Sequence, residues 1–101
     1  MSIEDVNHHV SNIFGAIGNP IRFKILMLVS ETERPLHIKA VAKLMKKDYA
    51  AVYRHVKVLE KNGLLRIYEV GRSRVLSIKN AELIKQLVET AKMIALKRGN
   101  I

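Results

Sequence analysis

A chain of 101 residues with 49% hydrophobic side chains and interspersed charge can build one small core of helices with a little sheet. It is too short for two independent domains and too apolar to be disordered. Cysteine is absent, which excludes disulfides, thiolate zinc sites and a cysteine nucleophile, and the net charge of +9 suits a polyanionic partner.

The chain opens on SIEDVN, an acidic start unlike a signal peptide's basic one, and no apolar run approaches the ~18 residues of a membrane span. A cytoplasmic location is therefore expected. Ser2 with Asp5 three residues on resembles a capping box and predicts a helix over 2–17, with Ile3, Val6, Val10, Ile13, Phe14 and Ile17 as an apolar seam. Gly18-Asn19-Pro20 breaks the chain and restarts it, Asn19 as N-cap and Pro20 at the first helical position. The next helix, to about Ser30, turns Ile21, Ile25, Leu28 and Val29 inward, with Phe23, Leu26 and Met27 widening the stripe. An element apolar on so many sides is expected at the centre. Glu31 to Pro35 is a polar loop.

Residues 36–62 read as a helix-turn-helix. Ile38, Val41, Leu44 and Met45 form the apolar side of a short helix, and Lys46-Lys47-Asp48 leaves only a tight turn. Asp48 is placed to cap the second helix through its carboxylate, and Asn62-Gly63 ends it. Between those signals Val52, Val56 and Leu59 recur at i, i+4 and i+7, so Tyr49, Tyr53, Arg54 and Lys57 lie off the buried stripe. LLRIYEV, Gly71-Arg72-Ser73 and RVLSI then read as two strands about a glycine turn, a wing over about 64–78. The fold expected is one winged helix-turn-helix domain over 1–101, mainly α, with about five helices and a two-stranded wing.

Asn80 is expected to cap a last helix, 80–98, with Leu83, Ile84, Leu87, Val88, Ala91, Ile94 and Ala95 on its apolar stripe. So much apolar surface on the two terminal helices needs a cover. The expectation is a homodimer built from Ile3, Val6, Val10, Ile13, Leu83, Leu87, Val88 and Ile94; the alternative is that both helices fold back on their own domain. Charge is concentrated in between: residues 1–35 carry three basic and four acidic side chains (−1), 36–79 eleven and three (+8), and 80–101 four and two (+2). A polyanion would dock on the helix-turn-helix and hairpin.

Residues 16–29, AIGNPIRFKILMLV, look like the "ALGxPxRxxIL" opening of ArsR-type winged helix-turn-helix regulators of bacteria and archaea. VAKLMKKDYAAVYRHVKVLEKNGLL resembles that family's DNA-reading segment and VGRSRVLSI its wing. The similarity spans about residues 13–79 and implies a dimeric, sequence-specific transcription regulator, a repressor by type. Metal-sensing relatives carry Cys-x-Cys where this chain has His37-Ile38-Lys39, and a lysine ammonium does not ligate metal at neutral pH. Others use carboxylate and histidine ligands on the last helix, where Glu82 and Glu89 stand without histidine. No metal and no cofactor is expected.

In that resemblance, and on geometry, the 48–62 helix enters the major groove with its N-terminal half nearest the bases. Tyr49, Ala50, Ala51 and Tyr53 are the candidates for base edges. Arg54 reads guanine or clamps phosphate, phosphate being slightly favoured. Lys46, Lys47, Lys57 and Lys61 position phosphates, or form a solvated face. His55, beside the Val52 and Val56 stripe, is either a DNA contact or a structural histidine. Arg72 and Arg74 flank Ser73 at the wing turn and suit the minor groove. His8-His9 reads as a solvated pair.

An enzyme is not expected: the chain has no glycine-rich phosphate loop, nucleophile elbow or HExxH, and Ser30, Ser73 and Ser77 have no evident base. The remaining alternatives are a non-specific architectural DNA-binding protein and a winged-helix protein-interaction module.

Overall fold

The computed structural model describes residues 1–99; Asn100 and Ile101, the end of the expected 1–101 domain, lie outside the described residues. Helix α1 (Ile3–Ile17) starts where the capping box predicts: the Ser2 N–H donates to Asp5 Oδ2 at 3.1 Å and the Asp5 N–H donates to Ser2 Oγ at 3.2 Å. Helix α2 (Pro20–Ser30) is capped by Asn19, whose Oδ1 accepts from the backbone N–H groups of Ile21 and Arg22 at 2.9 and 3.1 Å. The chain turns by 87° between these two helices. As its many-sided apolar character predicts, α2 is central and packs against its neighbours on several sides. Its fully buried residues are Ile25 and Leu26, while Leu28, expected inward, is only half-buried.

Strand β1 (Leu36–His37) leads into helix α3 (Ile38–Met45), and helix α4 (Tyr49–Lys61) follows the turn. Ile38 and Val41 are fully buried, but Leu44 points outward, 62% exposed, and Ala42 is buried instead. Lys46 ends α3 in the left-handed region at φ 54°, so the turn carries a backbone conformation that a lysine adopts only at some cost. Asp48 stands at the N-cap of α4, yet its carboxylate makes no capping hydrogen bond, contrary to expectation. The far end closes as the Asn-Gly pair predicts. Gly63, at φ 76°, donates its N–H to Glu60 O, and the Leu64 N–H reaches back to Leu59 O, both at 3.0 Å, a complete Schellman motif.

The wing is β2 (Leu65–Val70) and β3 (Ser73–Ile78), antiparallel, with Val70 opposite Ser73 across a two-residue turn. Gly71 takes the first turn position at φ 63°, the type II′ pattern that matches strand twist. The sheet has three strands, in the order β1-β3-β2, rather than the two expected. Leu36 pairs with Leu76 and His37 with Val75. A two-residue strand has no alternation to read, and exists only because β3 supplies its partner.

Helix α5 (Ala81–Lys97) follows Asn80, which sits at φ 59° and does not cap it; the Asn80 amide donates instead to Gly63 O at 3.4 Å, tying α5 to the end of α4. The core is continuous from Ile25 and Leu26 through Ile38, Val41, Val52, Val56 and Leu59 to Leu65 and Leu76. From α5 only Ile84 and Val88 join it. The Cα radius of gyration, 14.5 Å, exceeds the roughly 13 Å of a compact chain this long, because the terminal helices project from the body. No single helix among the described residues is long and apolar enough to cross a membrane.

Candidate nucleic-acid interface

The stripe Val52, Val56 and Leu59 fixes the orientation of α4, burying one side completely. Tyr49, Ala50, Arg54, Lys57 and Lys61 are left exposed, Ala51 and Tyr53 half-buried. Lys46 and Lys47 are exposed in the preceding turn, Arg72 is exposed at the hairpin tip, and Ser73 and Arg74 are partly covered. The Tyr49 and Tyr53 rings lie nearly parallel, 8° apart in orientation with centroids 6.4 Å apart, and the Arg74 guanidinium carbon sits 4.6 Å from the Tyr53 centroid.

Acidic groups do little to neutralise this surface. Glu60 holds Lys57 at 2.7 Å and Glu69 stands 4.0 Å from Arg74. Among the described residues Arg54, Arg72, Lys46, Lys47 and Lys61 form no ion pair. A row of cations without carboxylate partners keeps its full attraction for an external polyanion.

His55 faces inward, toward Arg22. Arg22 Nη1 is 3.4 Å from His55 Nδ1, while its Nε and Nη2 donate to Ala16 O and Gly15 O at 2.7 and 3.3 Å, so one guanidinium joins the end of α1 to α4. Of the two readings open for His55, the geometry fits the structural one. Burial pushes its imidazole below the usual 6.5, and Arg22, Arg54 and Lys47 push the same way. The unfolded chain therefore takes up this proton more readily. The stability at stake is complete above pH ~6.5 and is lost as pH falls through the lower folded value. Thermal melts from pH 7.5 to 5 are expected to show a falling Tm that His55→Gln flattens; parallel curves for the two proteins would remove this role.

The candidate dimer residues divide. Ile3, Val6, Val10, Leu83 and Ile94 are exposed and Leu87 is half-covered, but Val88 is 7% exposed and Ile13 packs against the core, so those two are covered by their own chain. Phe14, Met93 and Leu96 are exposed and absent from the candidates. Phe14 lay within the N-terminal seam; Met93 and Leu96 lie off the stripe assigned to the last helix and had no periodic signal. Phe14, Ile17 and Phe23 face Leu87, Ala91 and Ala95 across an apolar groove of ≈ 270 Å³. No group of three or more His, Asp or Glu side chains able to hold a metal ion occurs among the described residues.

A family model described as HVO_A0114 matches residues 19–79. Among curated proteins none matches the sequence. The fold is similar to the homodimeric winged helix-turn-helix DNA-binding domain of Mb0332 from Mycobacterium bovis, a possible ArsR-family transcriptional regulator, at 19% identity and TM-score 0.81, covering all of this chain and 95% of that one. It is also similar to HlyU from Vibrio cholerae at 16% identity and TM-score 0.74, over 93% and 97% of the two chains. A transcriptional regulator homologue from Pyrococcus horikoshii matches at 24% identity and TM-score 0.73, over 93% and 99%. The winged helix architecture is common to all of them.

Proposed function

The chain belongs to the HVO_A0114 family, whose model covers the helix-turn-helix and the wing, and from that footing we propose that it is a sequence-specific DNA-binding regulator of transcription, acting as a homodimeric repressor. The observation that carries this reading is the +8 of charge on residues 36–79, of which Lys46 and Lys47 before α4, Arg54, Lys57 and Lys61 on α4 and Arg72 at the hairpin tip are exposed, with Lys57 alone of these six paired to an acid among the described residues. Tyr49, Ala50, Ala51 and Tyr53 meet base edges in the major groove, the small alanines allowing close approach. Arg54 and the lysines at 46, 47, 57 and 61 hold phosphates, with Ser73 beside them at the wing. Arg72 enters the adjacent minor groove.

Apolar exposure supports the dimer, Ile3, Val6, Val10 and Phe14 on α1 with Leu83, Met93, Ile94 and Leu96 on α5. So does the likeness to the homodimeric Mb0332 domain. A two-fold axis through these helices would present two copies of α4 to successive turns of a duplex.

Arg72→Ala removes an exposed cation without disturbing packing. The magnitude of the slope of log K against log salt is expected to fall by about 0.9 for each phosphate that the variant no longer neutralises, with the preferred sequence unchanged. An unaltered slope in a salt titration would take Arg72 off the interface. The decisive test is selection from a random duplex library at physiological salt, where specific and non-specific affinities commonly differ by about 10³–10⁷. An enriched inverted repeat with half-sites about one helical turn apart is expected. Binding without enrichment would replace the repressor by an architectural protein, and no binding would leave the interaction module.

A further inference from the structure

Arg74 stands on β3 directly opposite Glu69 on β2, where the hairpin passes α4. Its guanidinium carbon is 4.6 Å from the Tyr53 ring centroid, and its Nε is 4.0 Å from Glu69 Oε1. Tyr53 in turn is half-buried and packed against the core, and Tyr49 continues the row with its ring nearly parallel. A planar cation over an aromatic face is held by the ring quadrupole, and the flat guanidinium stacks in a way an ammonium does not. Arg72, two residues earlier, has no such partner among the described residues. The two wing arginines therefore stand in different situations, one free at the tip and one laid across the junction between wing and helix.

We propose that Arg74 is a positioning residue: seated on Tyr53 and steadied by Glu69, it holds the wing against the recognition helix and sets the angle between the two parts that read DNA. The proposal rests on the DNA-binding reading for its consequence, which is sequence discrimination, but not for the latch itself. The base of the wing is held by β1, by β3 on α2 and α3 and by β2 on α4, with Leu65, Ile67 and Leu76 at the core, while residues 68–72 toward its tip are exposed and depend on contacts such as this one. A wing free to swing would still attract a duplex through Arg72 and the lysines. It would hold the row of tyrosines less strictly over the bases.

The latch is measured first without DNA. In the free protein the Arg74 Nε–H resonance is expected to be displaced by the Tyr53 ring current, to return to its ordinary position in Tyr53→Leu, and to stay displaced in Tyr53→Phe, which keeps the ring. Arg74→Ala is expected to speed hydrogen exchange of the wing-tip amides by about two- to fivefold, the factor that an exposed cation–π contact supplies, while Arg72→Ala leaves those amides unchanged. An undisplaced resonance, or equal exchange in the two alanine variants, would overturn the proposal. Duplex titration then reads the consequence. Arg74→Ala is expected to lower the ratio of selected-site to random-duplex affinity by a similar two- to fivefold with the salt slope unchanged, and Arg74→Lys is not expected to restore the ratio. A slope reduced in magnitude by about 0.9 in Arg74→Ala, recovered in Arg74→Lys, would make Arg74 a phosphate contact and overturn the positioning role. If the wild-type protein bound no duplex, the DNA-binding reading would fall while the exchange measurement still decided the latch.

Discussion

Phe14→Glu combined with Ile94→Glu is expected to yield a folded monomer that binds an inverted-repeat operator about 10²–10⁴-fold more weakly than the wild-type protein, the factor by which linking two half-site readers raises affinity. Both residues are largely exposed, at 57% and 66%, so charge there costs the single subunit little. At an apolar interface the same carboxylates would have to be stripped of water with no partner, which a dimer tolerates poorly. Sedimentation equilibrium at tens of micromolar reads the oligomeric state, circular dichroism the fold and duplex titration the affinity. A variant that remains dimeric would move the interface away from α1 and α5. A wild-type protein that sediments as a monomer would remove the homodimer altogether, and with it the expected operator symmetry.

The second large effect is on stability. Leu59→Ala removes a fully buried side chain from the stripe by which α4 is held to the core. A buried leucine truncated to alanine costs about 2–5 kcal/mol, against a total of about 5–15 kcal/mol for a domain of this kind. Thermal unfolding is expected to move down by roughly 10 °C or more. Leu44→Ala, in the same motif but 62% exposed, is expected to change stability by no more than about 0.5 kcal/mol. Equal effects of the two substitutions would contradict the orientation of the helix-turn-helix given above. The comparison also separates packing from recognition, since a DNA-binding defect in Leu59→Ala that tracks the melting temperature reports unfolding rather than damage to the DNA-reading face.

Features that neighbouring residues decide among themselves were legible in the chain before any packing was considered. The Ser2–Asp5 box, the Asn19-Pro20 start, the Gly63 ending of α4 and the Gly71 hairpin turn each depend on hydrogen bonds within a few residues or on a φ that glycine adopts freely. The i, i+4, i+7 stripe of α4 was legible for the same reason, because helical periodicity fixes which residues share a face. From these alone the winged helix-turn-helix follows, and with it the exposed position of Tyr49 and Arg54.

Features whose partners are far along the chain came from packing instead. Strand β1 exists because Leu36 meets Leu76, forty residues on, and two residues leave no pattern to read. His55 turned out to face Arg22, and Arg74 to lie over Tyr53, because both elements must dock on α2 or on each other before those side chains come within reach. Asp48 and Asn80 occupy helix starts yet leave the capping bond unmade; Asn80 sits in the left-handed region and gives its amide to Gly63 O instead, a partner seventeen residues back. Periodicity likewise marked α1 and α5 as apolar but did not say which apolar positions their own domain would cover: Val88 went inside, Ile13 was partly covered, and Phe14, Met93 and Leu96 stayed out. A helical stripe is defined by the helix alone, whereas the part of it that is buried is defined by what packs against it.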